Sequence, residues 1–160
     1  PEDRILGEEG DGFRHALETL NGGRITIAAR SIGLARAALD DSLDYSQARE
    51  QFDQPISDFQ AIQHKLADMD TKIQSAKLLM HRAADKKMRG EDFIKDAAQA
   101  KLYASEISRE VTNEGIQIHG GYGYTKDFAV ERYYRDAKLN EIYEGTSEVL
   151  RNTIAQRLLK

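Results

Sequence analysis

Two short stretches hold the residue types that chemistry needs. Gln117-Ile118-His119-Gly120-Gly121-Tyr122-Gly123-Tyr124 closes a run of helix formers on paired glycines. Ile142-Tyr143-Glu144-Gly145-Thr146-Ser147-Glu148 then sets a carboxylate in a glycine turn just ahead of the last helix. Backbone amides left without partners at helix ends bind anions, and a carboxylate held in such a turn can be given a proton-transfer task. Glu144 has two readings. No cation stands beside it in the sequence, so partial loss of solvent would make it a usable base near neutral pH. Alternatively, it is an ordinary acid near the start of the last helix, complementing the helix dipole. Spacing alone does not separate the two. Gln117 with Gly120-Gly121 is equally open: it fits close approach of a phosphate or ribose to the backbone, or the common glycine-ended helix.

Arg49, Phe52 and Gln60 form a second group. Arginine offers a planar fork for phosphate oxygens and Phe52 a flat apolar surface for a ring system. A surface arginine and a phenylalanine plugging a bundle end would look the same. Gly22-Gly23 interrupts a strong helix-forming run at a cost of about 1 kcal/mol per glycine. Close approach by a ligand or a neighbouring backbone explains that cost, and so does a kink. Metal is set aside: a di-iron bundle needs Glu-x-x-His pairs, and His15, His64, His81 and His119 have Gly12, Ala61, Leu78 and Ile116 at that spacing. No serine sits in a nucleophile-elbow motif. Tyr122, Tyr124, Tyr133 and Tyr134 read as packing, since no basic groove accompanies them.

These residues need a frame, and the frame reads as all-α. Only Pro1 and Pro55 occur, so helices can run long. From Phe13 to about Ser46, apolar positions fall at Phe13, Leu17, Leu20, Ile27, Leu34 and Ala38, with a second set at Ile25, Ile32 and Leu39. That pattern predicts a helix covered from both sides. Pro55 forces a break, and Ser57 or Asp58 is placed to cap the next helix. Its seam is Phe59, Ile62, Leu66, Met69, Ile73, Ala76, Met80 and Ala83, steps of three and four as in an antiparallel bundle, ending at Arg89-Gly90. A third helix runs from Asp92 to Gly120 on Phe93, Ala97, Ala100, Ala104, Ile107, Val111 and Ile118. Asp127 to Ala137 predicts a short charged helix, and a last one begins at Thr146 or Ser147. No alternating strand pattern appears. The expectation is an up-down-up-down four-helix bundle with a short extra C-terminal helix, over residues 11–160, after a flexible lead at 1–10.

Composition bounds the function. A net charge of −4 with dispersed basic residues argues against nucleic acid. With no cysteine, disulfides, thiolate metal sites and cysteine nucleophiles are excluded, which fits a reducing compartment. No apolar run approaches the roughly 20 residues of a membrane span, and the charged N-terminus carries no signal-peptide core.

Taken together, Leu20-Asn-Gly-Gly-Arg24, Arg49-x-x-Phe52-x-x-Pro55-Ile56 with Gln60, the Gln117–Tyr124 block, Tyr134-Arg-Asp-Ala137 and the Ile142–Glu148 block resemble one family. They are similar, in order and spacing, to the C-terminal domain of the acyl-CoA dehydrogenases, nearest in look to short-chain members. The resemblance covers the chain from about residue 11 onward. It implies FAD-dependent α,β-dehydrogenation of an acyl-CoA thioester. Glu144 would be the base that removes the α-proton while hydride passes to the flavin. The backbone N–H of Glu144 and a flavin hydroxyl would hold the thioester oxygen. Some members carry the base on the first helix instead, at the position of Gly23, which cannot serve. Asn21, Gly22, Gly23, Arg24 and Gly145 would line the substrate side. Arg49, Phe52, Gln60, Gln117, Ile118, His119, Gly120 and Gly121 resemble residues that reach the FAD of a neighbouring subunit. Thr146, Ser147 and Glu148 resemble those that hold it within the same subunit.

The resemblance further implies an electron-transfer flavoprotein as partner and a homo-oligomer, a tetramer in full-length form or a dimer for the fragment. It also implies a bacterial cytoplasmic or mitochondrial matrix location. The family's N-terminal helical and middle β-domains are not in this chain, so the isolated chain is expected to be inactive. Two other readings stand beside it: an acyl-CoA oxidase domain, and a non-catalytic bundle serving oligomerisation.

Overall fold

A computed structural model describes residues 6–159, so part of the expected lead, residues 1–5, lies outside the described residues. Five helices follow one another: α1 (Gly12–Ala48), α2 (Gln60–Met88), α3 (Ile94–His119), α4 (Val130–Asn140) and α5 (Ser147–Leu158). The first three pack on each other, α4 lies against α3 and α1, and α5 against α3. α3 is thus the central helix. The four-helix bundle with an extra C-terminal helix is as the periodicity predicts.

The seams of α2 and α3 bury as their spacing requires. Met69, Ile73, Ala76 and Ala83 face Ala97, Ala100, Ala104, Ile107, Val111 and Ile118 in one core, with Ile62, Leu66 and Met80 at its margin. Fully burying a side chain such as Ile73 contributes about 2 kcal/mol. The α1–α3 contact is built from small residues. A Cβ on Gly115 would stand 3.5 Å from both the Ala38 Cβ and the Ser42 Oγ. Two hydroxyls buried here bond within their own helices, Ser42 to the Ala38 carbonyl (2.6 Å) and Thr112 to that of Ser108 (2.7 Å), so the packing leaves these two satisfied.

α1 departs from expectation at its start. Phe13, Leu17 and Leu20 are exposed; the buried face begins at Arg24 and continues through Ala28, Ile32, Ala35 and Leu39. The break after α1 also holds structure that the sequence did not signal. β1 (Glu50–Gln51) and β2 (Gln54–Pro55) form a two-residue-loop hairpin, in register Glu50 to Pro55, with Phe52 (φ 55°) and Asp53 (φ 61°) at the tip. Ser57 and Asp58 sit in a 3₁₀ turn (Ile56–Asp58), and α2 starts after Phe59 without a side-chain cap. α2 ends as predicted: Gly90 (φ 70°) lets the Glu91 amide bond the Lys86 carbonyl and its own amide bond that of Lys87, the Schellman pattern. α4 starts at Val130 rather than Asp127: after a 3₁₀ turn over Gly120–Tyr124, residues 125–129 run through turns and bends.

Candidate functional site

Glu144 lies in the turn between α4 and α5, outside any helix, with φ 56°; Gly145 follows at φ 98°. A non-glycine residue in left-handed backbone space stores strain that the surroundings must hold. Two anchors do so. On one side, Arg30 of α1 donates to the Tyr143 hydroxyl, which donates to Asn140 Oδ1 at 3.0 Å. On the other, the Gly145 carbonyl accepts from Lys101 Nζ of α3 at 2.7 Å. The carboxylate between them points at α1 across Gly23: a Cβ on that glycine would lie 2.7 Å from Glu144 Oε2 and 3.0 Å from its Cδ. Gly23 is therefore open because the carboxylate occupies its space. Gly22 answers to a different neighbour, since its Cβ would meet Lys87 Nζ at 2.8 Å.

Glu144 Oε2 is buried and has no hydrogen-bond partner. Buried polar atoms almost always have one, so an oxygen left free in a gap between helices is available to an incoming group. No cation stands beside Glu144 in the sequence, but the packing brings two towards it. Arg24, one α1 residue beyond Gly23, is buried and donates to Asn21 Oδ1 at 2.8 Å. Burial lowers the pKa of its guanidinium, partly opposed by the charge of Glu144. Its Nε has no partner either. Lys101 has no exposed surface. Burial, with the like charge of Arg24, brings its pKa down to about 8 against the pull of Glu141, Glu144 and Glu106. These cations are far apart in sequence and converge only through the α1–α3 packing.

The second cluster lies where the end of α1 meets the end of α3. Arg49, Ile118, His119, Gly120 and Gly121 come together, with Tyr45 and Tyr122, around a cavity of about 500 Å³. Nothing stands within 4 Å of where a Cβ on Gly120 or Gly121 would be, so their backbone is open to a ligand. Arg49 lies 5.7 Å from the centre of the Tyr122 ring. His119 is here a packing residue: its Nδ1 is 2.8 Å from the Gly115 carbonyl and its ring stacks on Tyr45 at 4.2 Å. Phe52, Gln60 and Gln117 are exposed and do not line this cavity. Phe52, 87% exposed at a strained tip, edges Phe59 at 6.1 Å; its position suits contact with something outside this chain.

A third cluster gathers at the start of α5. Thr146 is the N-cap and accepts from the Val149 amide. Thr146, Ser147 and Glu148 border a pocket of about 210 Å³ with Glu106, Arg109, Lys138 and Arg151. Ser147 Oγ is buried without a partner beside that helix N-terminus. No group of three histidine, aspartate or glutamate side chains able to hold a metal occurs among the described residues, and none of their helices is long and apolar enough to cross a membrane.

Sequence reasoning passed over Lys101, Arg30, Asn140 and Tyr45. Lys101 carried a usable signal, since it stands four residues after Ala97 and three before Ala104, within the buried stripe of α3.

Residues 10–159 match the model of the acyl-CoA dehydrogenase C-terminal domain, and the chain belongs to that family. It is 50% identical over its whole length to the mitochondrial short-chain specific acyl-CoA dehydrogenase of Bos taurus, covering 39% of that protein. It superposes on butyryl-CoA dehydrogenase from Megasphaera elsdenii with a TM-score of 0.98 and 49% identity, over all of this chain and 42% of that one. A structure reported for the electron transferring flavoprotein of Acidaminococcus fermentans matches with the same score and identity, again over all of this chain and 42% of that one. The chain thus spans about two fifths of the length of these relatives.

Proposed function

We propose that this domain supplies the base and part of the flavin site of an acyl-CoA dehydrogenase, acting on a short-chain acyl-CoA thioester. The single observation that carries the reading is the Glu144 carboxylate, held in a strained turn with Oε2 buried and unpartnered over Gly23. In this reading Glu144 takes the α-proton of the thioester. Its Oε2 has no hydrogen bond to give up before it accepts a proton. Asn21 accepts from Arg24, and a Cβ on Gly145 would lie 3.8 Å from an Arg24 Nη, whereas Gly22 faces Lys87. The free Nε of Arg24 is a donor for a carbonyl oxygen or an anionic group of the substrate.

The residues present fit a flavin dinucleotide. Open backbone at Gly120-Gly121 beside Arg49 suits phosphate oxygens. The unpartnered Ser147 hydroxyl at the Thr146-capped helix start offers a further polar contact. FAD, when bound, would supply the hydride acceptor. Arg49, Gln60, Phe52 and the Gln117–Gly121 stretch would reach the FAD of a neighbouring subunit, and Thr146, Ser147 and Glu148 the one in their own, which requires a homo-oligomer. The similarity to a structure reported for an electron transferring flavoprotein supports such a protein as electron acceptor, and the occurrence of a mitochondrial relative beside bacterial ones fits either a mitochondrial matrix or a bacterial cytoplasmic setting. The test is an acyl-CoA panel from butyryl to palmitoyl, with isovaleryl and glutaryl, against the full-length protein with a ferrocenium acceptor. Highest kcat/KM on butyryl-CoA is expected; no turnover on any member would contradict the reading.

A further inference from the structure

Lys101 is the only charged side chain among the described residues with no exposed surface at all. It sits on α3 between Ala97, Ala104 and Ser108, each fully buried, and an ammonium in such surroundings is costly unless something receives it. Its one hydrogen bond runs to the Gly145 carbonyl, 44 residues away, at 2.7 Å. That carbonyl belongs to the second of two consecutive residues with positive φ, Glu144 at 56° and Gly145 at 98°. Tyr143 is tied down through Arg30 and Asn140 on the preceding side, whereas Lys101 supplies the tie on the following side. The glutamate hangs between these two moorings, and without the second the turn is free to relax towards backbone angles that glutamate prefers.

We propose that Lys101 is a positioning residue for Glu144: by donating its ammonium to the Gly145 carbonyl it locks the turn that holds the carboxylate over Gly23. This rests on the reading of Glu144 as the base. The charges that face Lys101 are Arg24 from α1, Glu106 from α3, and Glu141 and Glu144 from the loop after α4. Burial and Arg24 work against its charge, so its proton is held only up to about pH 8. Above that, the charge-assisted bond becomes a weaker neutral one. The lock is therefore fully made at neutral pH and slackens in mild alkali.

The experiment uses the full-length protein with Lys101→Met, which fills the space without a donor, and Glu144→Gln in parallel. Hydrogen exchange of peptides covering residues 141–149 reads the turn directly, with peptides from α2 as the internal control. Lys101→Met is expected to lower kcat on the order of a hundredfold with KM changed by less than about threefold, to speed exchange of the turn but not of α2, and to abolish any fall in kcat near pH 8. Wild-type exchange and wild-type kcat in Lys101→Met, with Glu144→Gln inactive, would overturn the lock alone. Wild-type activity in Glu144→Gln would overturn the base assignment whatever Lys101 does. Should Lys101→Met fail to fold, the wild-type protein decides. After correction for intrinsic base catalysis, exchange of the turn must accelerate as pH rises through about 8, and a flat profile would overturn the proposal.

Discussion

At the scale of single residues, Gly23 matters because of what it lacks. Alanine in a helix interior is favoured over glycine by about 1 kcal/mol, so Gly23→Ala should leave the fold as stable or more so. Its Cβ, however, would fall 2.7 Å from Glu144 Oε2, and the carboxylate, being the far end of a flexible side chain, would move. The expected outcome is a chemical denaturation midpoint at or above wild type together with a fall in the proposed activity of the full-length protein on the order of a hundredfold. A variant with full activity would show that the carboxylate need not occupy that space. Lys101 gives a prediction for the pH dependence of stability. Its pKa is held down to about 8 from an ordinary 10.5, so between those values the unfolded chain binds more protons than the folded one. Stability must then gain from this group as pH rises from about 8 towards 10.5, and denaturation of Lys101→Met across that range should lack the gain.

At the scale of elements, the bundle depends on how closely α1 and α3 approach and on how α2 is tied to α3. Gly115→Ala would place its Cβ 3.5 Å from Ala38 and Ser42, an ordinary contact, and should be neutral or slightly stabilising. Gly115→Leu overpacks the same spot and should cost about 1–3 kcal/mol, read as a lower denaturation midpoint. Asp96 receives Lys86 at 2.7 Å and Arg82 at 2.8 Å from α2. Burial pushes its carboxyl up, but those two cations outweigh burial and hold its pKa below the ordinary 3.8. A carboxylate held down in this way stabilises the fold above its unfolded pKa and loses that contribution as pH falls through the folded one. Asp96→Asn should cost about 2 kcal/mol at neutral pH, a difference that shrinks below about pH 4.

The helices were legible because their seams are long and periodic: Met69 to Ala83 and Ala97 to Ile118 bury as their spacing demands. The hairpin was not, since Phe52-Asp53 is not the Asn-Gly type of pair that announces a two-residue turn. Phe13, Leu17 and Leu20 were read as covered because periodicity tells which face is apolar and not what lies against it.

At the scale of the whole molecule, the site is divided. Glu144 and its gap were visible as a Tyr-Glu-Gly-Thr turn. Of the cations around it, Arg24 was named only through the family resemblance and Lys101 not at all, because both approach it only through tertiary packing. On the proposed reading, the glycine cavity and the start of α5 would each offer part of a flavin site. The domain spans 42% of its butyryl-CoA dehydrogenase relative, so we expect it by itself to retain no stoichiometric flavin through gel filtration. A yellow one-to-one complex would contradict that. The central claim is that one carboxylate removes the α-proton, and it is tested most directly by mixing oxidised full-length protein with butyryl-CoA anaerobically and following flavin bleaching in wild type and Glu144→Gln. The account predicts a rate lower by roughly a thousandfold or more in the variant with substrate binding retained. Bleaching within about tenfold of wild type, a loss well short of general-base catalysis, would contradict it.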